Sequence, residues 1–195
     1  MKRIHLLFTA SAVVAISFFT SCKETSGEAK KTVPDSTVTF VARGEYLVNA
    51  MGCDDCHSPK QMGPNGPEII PELRFSGYPS SRPVAVADSN VIKKGWAVFG
   101  PDLTSSAGPW GMSFAANLTS DPTGIGSWKE EQFITAIRKG KSKGLENNRS
   151  LLPPMPWFSY KNLSDEDLKS IYAYLKTTKP VSNVVPAPKM FSELK

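Results

Sequence analysis

The stretch Cys53-Asp54-Asp55-Cys56-His57 constrains this chain more than any other feature of its 195 residues. Two thiols three positions apart, followed at once by an imidazole, have the spacing for covalent attachment of haem. The thiols add across the two vinyl groups and the imidazole coordinates the iron. With three Cys and two His in the chain, the odds of a chance match are roughly one in two thousand. Three other readings stay open. A structural zinc site needs four ligands, but His57 is the one histidine besides His5, and Cys22 is the one further cysteine. A redox dithiol belongs at a helix start after a strand, whereas this motif follows a helix-like stretch and leads into a Pro- and Gly-rich segment. A Cys53–Cys56 disulfide would leave His57 without a role.

If the motif carries haem, a second imidazole ligand is ruled out once His5 is removed with a leader, and a sixth ligand falls to a methionine. The candidates are Met51, Met62, Met112, Met155 and Met190. Met51 and Met62 lie too close to the motif to reach the other haem face easily. Met155 sits in Pro153-Pro154-Met155-Pro156-Trp157, where prolines fix their own φ and push the preceding residue toward extended geometry. Such a stiff strap presents a thioether with little conformational freedom left to lose. Met155 is therefore the expected ligand and Met112 the reserve, against the usual role of methionine as a core filler.

The N-terminus reads as an export signal: Lys2 and Arg3, then an apolar run from Leu6 to Phe19, too short for the roughly 20 apolar residues of a spanning helix. Phe19-Thr20-Ser21-Cys22 resembles a bacterial lipobox, which makes Cys22 the expected lipidation site, with residues 1–21 as leader. Residues 22–40 follow as a polar tether. The net charge of +5 is mild and dispersed, with no basic run interleaved with aromatics, and this excludes a nucleic-acid footprint.

Sixteen Pro and 14 Gly point to short helices joined by shaped loops. Val41 to Gly52 carries Val41, Leu47, Val48 and Met51 partly on one face, and Gly44 offers another helix a close approach. Ser127 with Glu130 has the pattern of a capping box opening a helix that runs to Gly140, with Trp128, Phe133, Ile134 and Ile137 at helical spacing. Ser164 with Asp167 repeats the pattern before Leu168, Ile171, Tyr172 and Leu175, and Pro180 is expected to end that helix. Residues 58–116 form a loop-rich insertion with a hairpin expected around Trp96 to Phe99, read chiefly as a cover over the haem. Arg138, Lys139, Lys141 and Lys143 are a candidate patch for an acidic partner. Trp157, Tyr160 and Arg74 are candidates for holding haem propionates.

Covalent haem near an N-terminal helix, then a methionine strap, then a terminal helix, resembles the class I cytochrome c fold. Gly108 to Thr119, Thr123 to Trp128 and Pro153 to Leu175 are similar to bacterial c-type cytochromes related to the cytochrome subunits of periplasmic dehydrogenases. The resemblance implies a mainly α domain over residues 41–185, with the insertion between haem motif and middle helix and a tail from 186 to 195. Many relatives carry two or three haem motifs, whereas this chain carries one, so one covalent haem c is expected on Cys53 and Cys56, with His57 and Met155 on the iron. The implied activity is electron transfer on the periplasmic side of a bacterial envelope, from a dehydrogenase-type donor to an oxidase or another cytochrome, on a membrane reached through the lipid anchor. Two alternatives are a haem enzyme or gas sensor with an open sixth iron position and a cytochrome subunit held permanently in a redox complex.

Overall fold

A computed structural model describes residues 36–194. The leader, Cys22 and most of the 22–40 tether lie outside the described residues. The helices are α1 (Ser36–Ala50), α2 (Cys53–His57), α3 (Ser89–Lys93), α4 (Glu130–Arg138), α5 (Trp157–Tyr160) and α6 (Asp165–Lys176). The strands are β1 (Lys60–Gly63), β2 (Gly66–Ile69), β3 (Val98–Phe99), β4 (Ser105–Gly108) and β5 (Gly111–Phe114). None of these helices is long and apolar enough to cross a membrane.

The first and last of these helices cross. On α1, Val41, Gly44 and the pair Leu47-Val48 follow at three- to four-residue steps, and Leu47 and Val48 are buried; Met51, just past the helix end, packs against the same core. Gly44 sits at the crossing, where a Cβ would stand 1.9 Å from the Ser170 carbonyl oxygen of α6. The two backbones touch at a point that admits no side chain. Arg43 clips the same crossing through Asp167 at 2.9 Å, and that hydrogen bond holds the Asp167 carboxyl below its ordinary range. Around this pair, Phe75, Ile125, Phe133, Ile137, Leu168, Ile171, Tyr174 and Leu175 complete the main core.

At the start of α6, Ser164 accepts a hydrogen bond from the Asp167 amide at 3.0 Å, as its spacing suggests. The helix stops at Lys176, ahead of Pro180. The hydroxyls of Thr177 and Thr178 donate to the Tyr174 and Leu175 carbonyls at 2.7 Å each, satisfying the last turn before proline is reached. The middle helix departs further from expectation. α4 begins at Glu130 behind Lys129, with no side-chain cap, because residues 124–128 are drawn into turns by Ile125 N–H to Thr119 O and Trp128 N–H to Ile125 O, both 3.0 Å. Its apolar stripe holds nonetheless, with Phe133, Ala136 and Ile137 buried.

The insertion carries more regular structure than a run of loops. β1 pairs antiparallel with β2, and β3, β4 and β5 form a three-stranded antiparallel sheet in that order. The hairpin expected near Trp96 uses Val98 and Phe99 against Ala107 and Ser106, and leaves Trp96 exposed. A second core of Ala87, Ile92, Ala107 and Met112 fills this region. The segment after Pro180 is extended but tied down: buried Asn183 accepts from Ser80 N–H at 2.8 Å and donates to the Ser76 and Tyr78 carbonyls, and Lys189 pairs with Met112 through the backbone.

Gly44→Ala should destabilise the protein by about 3 kcal/mol, since the obstacle is backbone and cannot rotate away. Urea denaturation followed by circular dichroism reads this as a lowered midpoint.

Candidate haem site

The site is built on α2. Gly52, with φ 68° and ψ 34°, turns the chain in the left-handed region between α1 and α2. One helical turn then brings Cys53, Cys56 and His57 to one side, as the i, i+3, i+4 spacing dictates. Asp54 faces the scaffold, receiving Arg74 Nη2 at 2.6 Å, Arg74 Nε at 3.1 Å and Ser58 Oγ at 2.5 Å. Lys60 Nζ donates to the carbonyls of Asp55, Ser58 and Asp54 at 2.7, 2.9 and 3.1 Å, and to that of Asp102 at 3.2 Å.

His57 Nδ1 lies 2.8 Å from the Ala116 carbonyl oxygen. A carbonyl only accepts, so Nδ1 carries the proton and Nε2 is left with the lone pair that binds a metal. Burial pulls the imidazole below its ordinary pKa, partly opposed by this hydrogen bond, which keeps the ring in its neutral, ligating form. Gly77 N–H donates to the His57 carbonyl at 2.8 Å and fixes the same residue from its backbone.

Burial, with Asp54 beside it, pushes the Cys53 thiol up to about 12, and burial with Asp55 raises Cys56 as well. A redox dithiol needs the opposite shift, toward thiolate at neutral pH. Among the described residues no cluster of His, Cys, Asp or Glu is arranged to hold a metal ion by itself, so the zinc reading finds no ligand set.

Cys53, Cys56, His57 and Met155 all line one cavity of about 1070 Å³. Its walls include the apolar side chains of Ile125, Phe133, Ile137, Leu168 and Leu175. The volume lies just above the usual range of cofactor pockets, about 300–1,000 Å³, as a large macrocycle requires, and the donors are one imidazole nitrogen, two thiols and a thioether. These residues fit a haem attached through Cys53 and Cys56. Met51 also lines the cavity, next to the motif. Met62 and Met190 are exposed, and Met112, the reserve candidate, lies in the second core away from the cavity lining.

The Met155 strap is held at several points. Leu151 N–H donates to Gly140 O at 2.6 Å, and Ser113 Oγ donates to Pro153 O at 2.6 Å. Ser113 lies in the Gly108 to Thr119 stretch singled out by resemblance, but nothing in its spacing tied it to the strap; the sheet brings it there. Two propionate candidates are displaced: Arg74 is committed to Asp54 and Asn49, and the Trp157 ring packs on Gly140, neither lining the cavity. Tyr160 does line it, but its hydroxyl donates to Met51 O at 2.9 Å. The cations on the lining are Lys143 and Arg149. Of the basic patch, Arg138 pairs with Asp165 and Lys139 with Glu146, both at 2.5 Å, so these charges are already partnered.

Crossed terminal helices beside a cavity lined by a Cys-x-x-Cys-His turn define a protein of the c-type haem class. Residues 41–179 match the family model described as cytochrome c, and the chain belongs to that family. Its cofactor is covalently bound haem c, and the single motif matches one haem. The chain is 40% identical over 83 residues to a nicotinate dehydrogenase subunit of Pseudomonas putida, a match covering 42% of this chain and 7% of the relative. It is 32% identical to the fructose dehydrogenase cytochrome subunit of Gluconobacter japonicus, over 76% of this chain and 23% of the relative. With the gluconate 2-dehydrogenase cytochrome c subunit of Pantoea cypripedii it shares 33% identity, over 69% of this chain and 22% of the relative. The chain thus spans less than a quarter of the length of these relatives.

Asp102 bears on the same region because its carbonyl anchors Lys60. It is 3% exposed; burial pushes its carboxyl up, but the hydrogen bonds from Thr104 and Arg82 outweigh this and leave it below the ordinary range. A depressed carboxyl stabilises the fold above its unfolded pKa and loses that contribution as pH falls through the folded value. Asp102→Asn should cost about 3 kcal/mol at pH 7, with the gap to wild type narrowing from pH 4 downward, read as urea midpoints across pH.

Proposed function

We propose that this chain is a single-haem electron carrier whose iron is held by His57 and Met155, cycling between Fe(III) and Fe(II). The observation that carries the proposal is the shared cavity: a neutral imidazole fixed by the Ala116 carbonyl and a thioether on a proline strap line the same space as both attachment thiols. Haem bound there supplies a one-electron couple. The chain's own residues keep His57 in one tautomer, restrain Met155 through Ser113 and Gly140, and surround the site with apolar walls that exclude water. Ligands held this way need little rearrangement when the charge changes, and a thioether with burial favours the reduced state.

The names of the relatives support a dehydrogenase-type donor and a respiratory acceptor, with the chain acting as a carrier or cytochrome subunit and not itself as a catalyst. A class I, mono-haem domain over residues 41–185 is part of the same proposal. So is a lipid anchor at Cys22 on the periplasmic side of the envelope, after cleavage of residues 1–21, with a tether that gives way to α1 at Ser36, short of the expected residue 40, and with 186–195 as tail.

Met155→Ala should abolish the near-infrared charge-transfer band of methionine-ligated ferric haem and open the ferrous protein to carbon monoxide. Met112→Ala should leave both unchanged. A wild type that lacks the band and binds carbon monoxide readily puts the open-iron enzyme or sensor in first place. Cys22→Ala should move the protein from the membrane fraction to the soluble one; retention on membranes in high salt, without partners, refutes the lipid anchor.

A further inference from the structure

We infer that Lys60 is a positioning residue for the iron ligand His57: its ammonium gathers the C-terminal carbonyls of the haem-attachment helix and biases the iron toward its reduced state. This rests on the haem reading above and adds a residue to it.

A helix leaves its last carbonyls without internal partners, and one of five residues is almost all terminus. In α2 the Asp54 carbonyl accepts from Ser58 N–H at 3.2 Å. The Lys60 ammonium meets the need of the carbonyls beyond it, donating to those of Asp55 and Ser58 at 2.7 and 2.9 Å and adding a second donor to that of Asp54 at 3.1 Å. An ammonium has three protons, and the fourth carbonyl, that of Asp102, shares them at 3.2 Å. Lys60 is placed for this by β1, where it stands opposite Ile69. Asp102 belongs to the turn between β3 and β4, and its carboxylate is fixed by Arg82 at 2.7 Å and by the Thr104 hydroxyl at 2.7 Å. One side chain thus ties both sheets of the insertion to the helix that carries His57. The arrangement makes the insertion a bracket for the ligand helix and not only a cover.

Charge adds a second consequence. Asp54 is neutralised by Arg74 at 2.6 Å, while Lys60 takes part in no ion pair among the described residues. Its positive charge sits on carbonyls within one turn of His57. A fixed cation beside a centre that gains an electron favours the reduced form, and low local polarity strengthens the effect. A guanidinium keeps the charge, but its planar fork cannot aim three donors at converging carbonyls.

The test uses the haem-loaded protein and its Lys60→Met, Lys60→Arg and Lys93→Met variants, first stained for covalent haem on a denaturing gel and then titrated electrochemically. At the wild-type midpoint, Lys60→Met should lower the ferrous-to-ferric ratio about three- to tenfold, tenfold being 59 mV for one electron. Lys60→Arg should stay within about twofold of wild type yet melt at a lower temperature, and Lys93→Met, an exposed cation elsewhere, should match wild type. Haem-loaded Lys60→Met with an unchanged midpoint overturns the inference, as does an equal shift in Lys93→Met. Should Lys60→Met fail to accumulate, nitrogen-15 lysine spectra of the wild type decide: a slowly exchanging ammonium signal absent from Lys60→Arg supports the inference, and no protected ammonium refutes it. Absence of haem staining in the wild type would instead refute the underlying site.

Discussion

A helix of five residues makes too few internal hydrogen bonds to persist by itself, and the residues that carry the haem stand on such a helix. Its conformation is imposed from outside. Arg74 grips Asp54 at its start, the Lys60 ammonium collects carbonyls at its end, and the Ala116 carbonyl orients the imidazole. Below it, the contact of Gly44 with the Ser170 carbonyl brings α1 to a fixed position, and α1 leads through Gly52 into the haem helix. Local order at the site is therefore a product of tertiary packing.

The same contacts serve the chemistry expected of a carrier. Ala116 selects the tautomer of His57, and Ser113 restrains the strap bearing Met155; both come from the end of the insertion. An insertion of this length would be a burden on a minimal domain, which needs only to cross from motif to middle helix. Here it supplies a second core, two small sheets and the hydrogen bonds to His57 and to the Met155 strap. Side chains held this way, His57 by Ala116 and the Met155 strap by Ser113, have little freedom left to rearrange.

Some expectations failed for a common reason. Ser127 has the sequence of an N-cap but not its place, because Thr119 draws Ile125 into a preceding turn and delays α4 to Glu130. α6 ends short of Pro180 because two threonine hydroxyls satisfy its final carbonyls first. Arg74 looked available for an anionic ligand, yet Asp54 lies 2.6 Å away across a sequence gap of 20 residues. For Ser127 and Arg74 a partner outside the local pattern competed with it and won, whereas at α6 the competing donors are the two residues next in sequence; a polar group must be paired wherever its partner comes from.

By itself the sequence determined the attachment chemistry, the number of haem motifs, and the helical stripes at Leu47, Phe133 and Leu168, all set by spacing over a few residues. It also anticipated the close approach at Gly44, because only a missing Cβ permits one. The proline strap marked Met155 ahead of Met112, but only tertiary structure put Met155 on the cavity and Met112 in a second core, and only it joined Lys60, Ser113 and Ala116 to the site through contacts that no local spacing shows. Periodicity reports which face of an element is apolar. Which remote donor meets which carbonyl depends on how the faces assemble, and that is fixed only when the whole chain has packed.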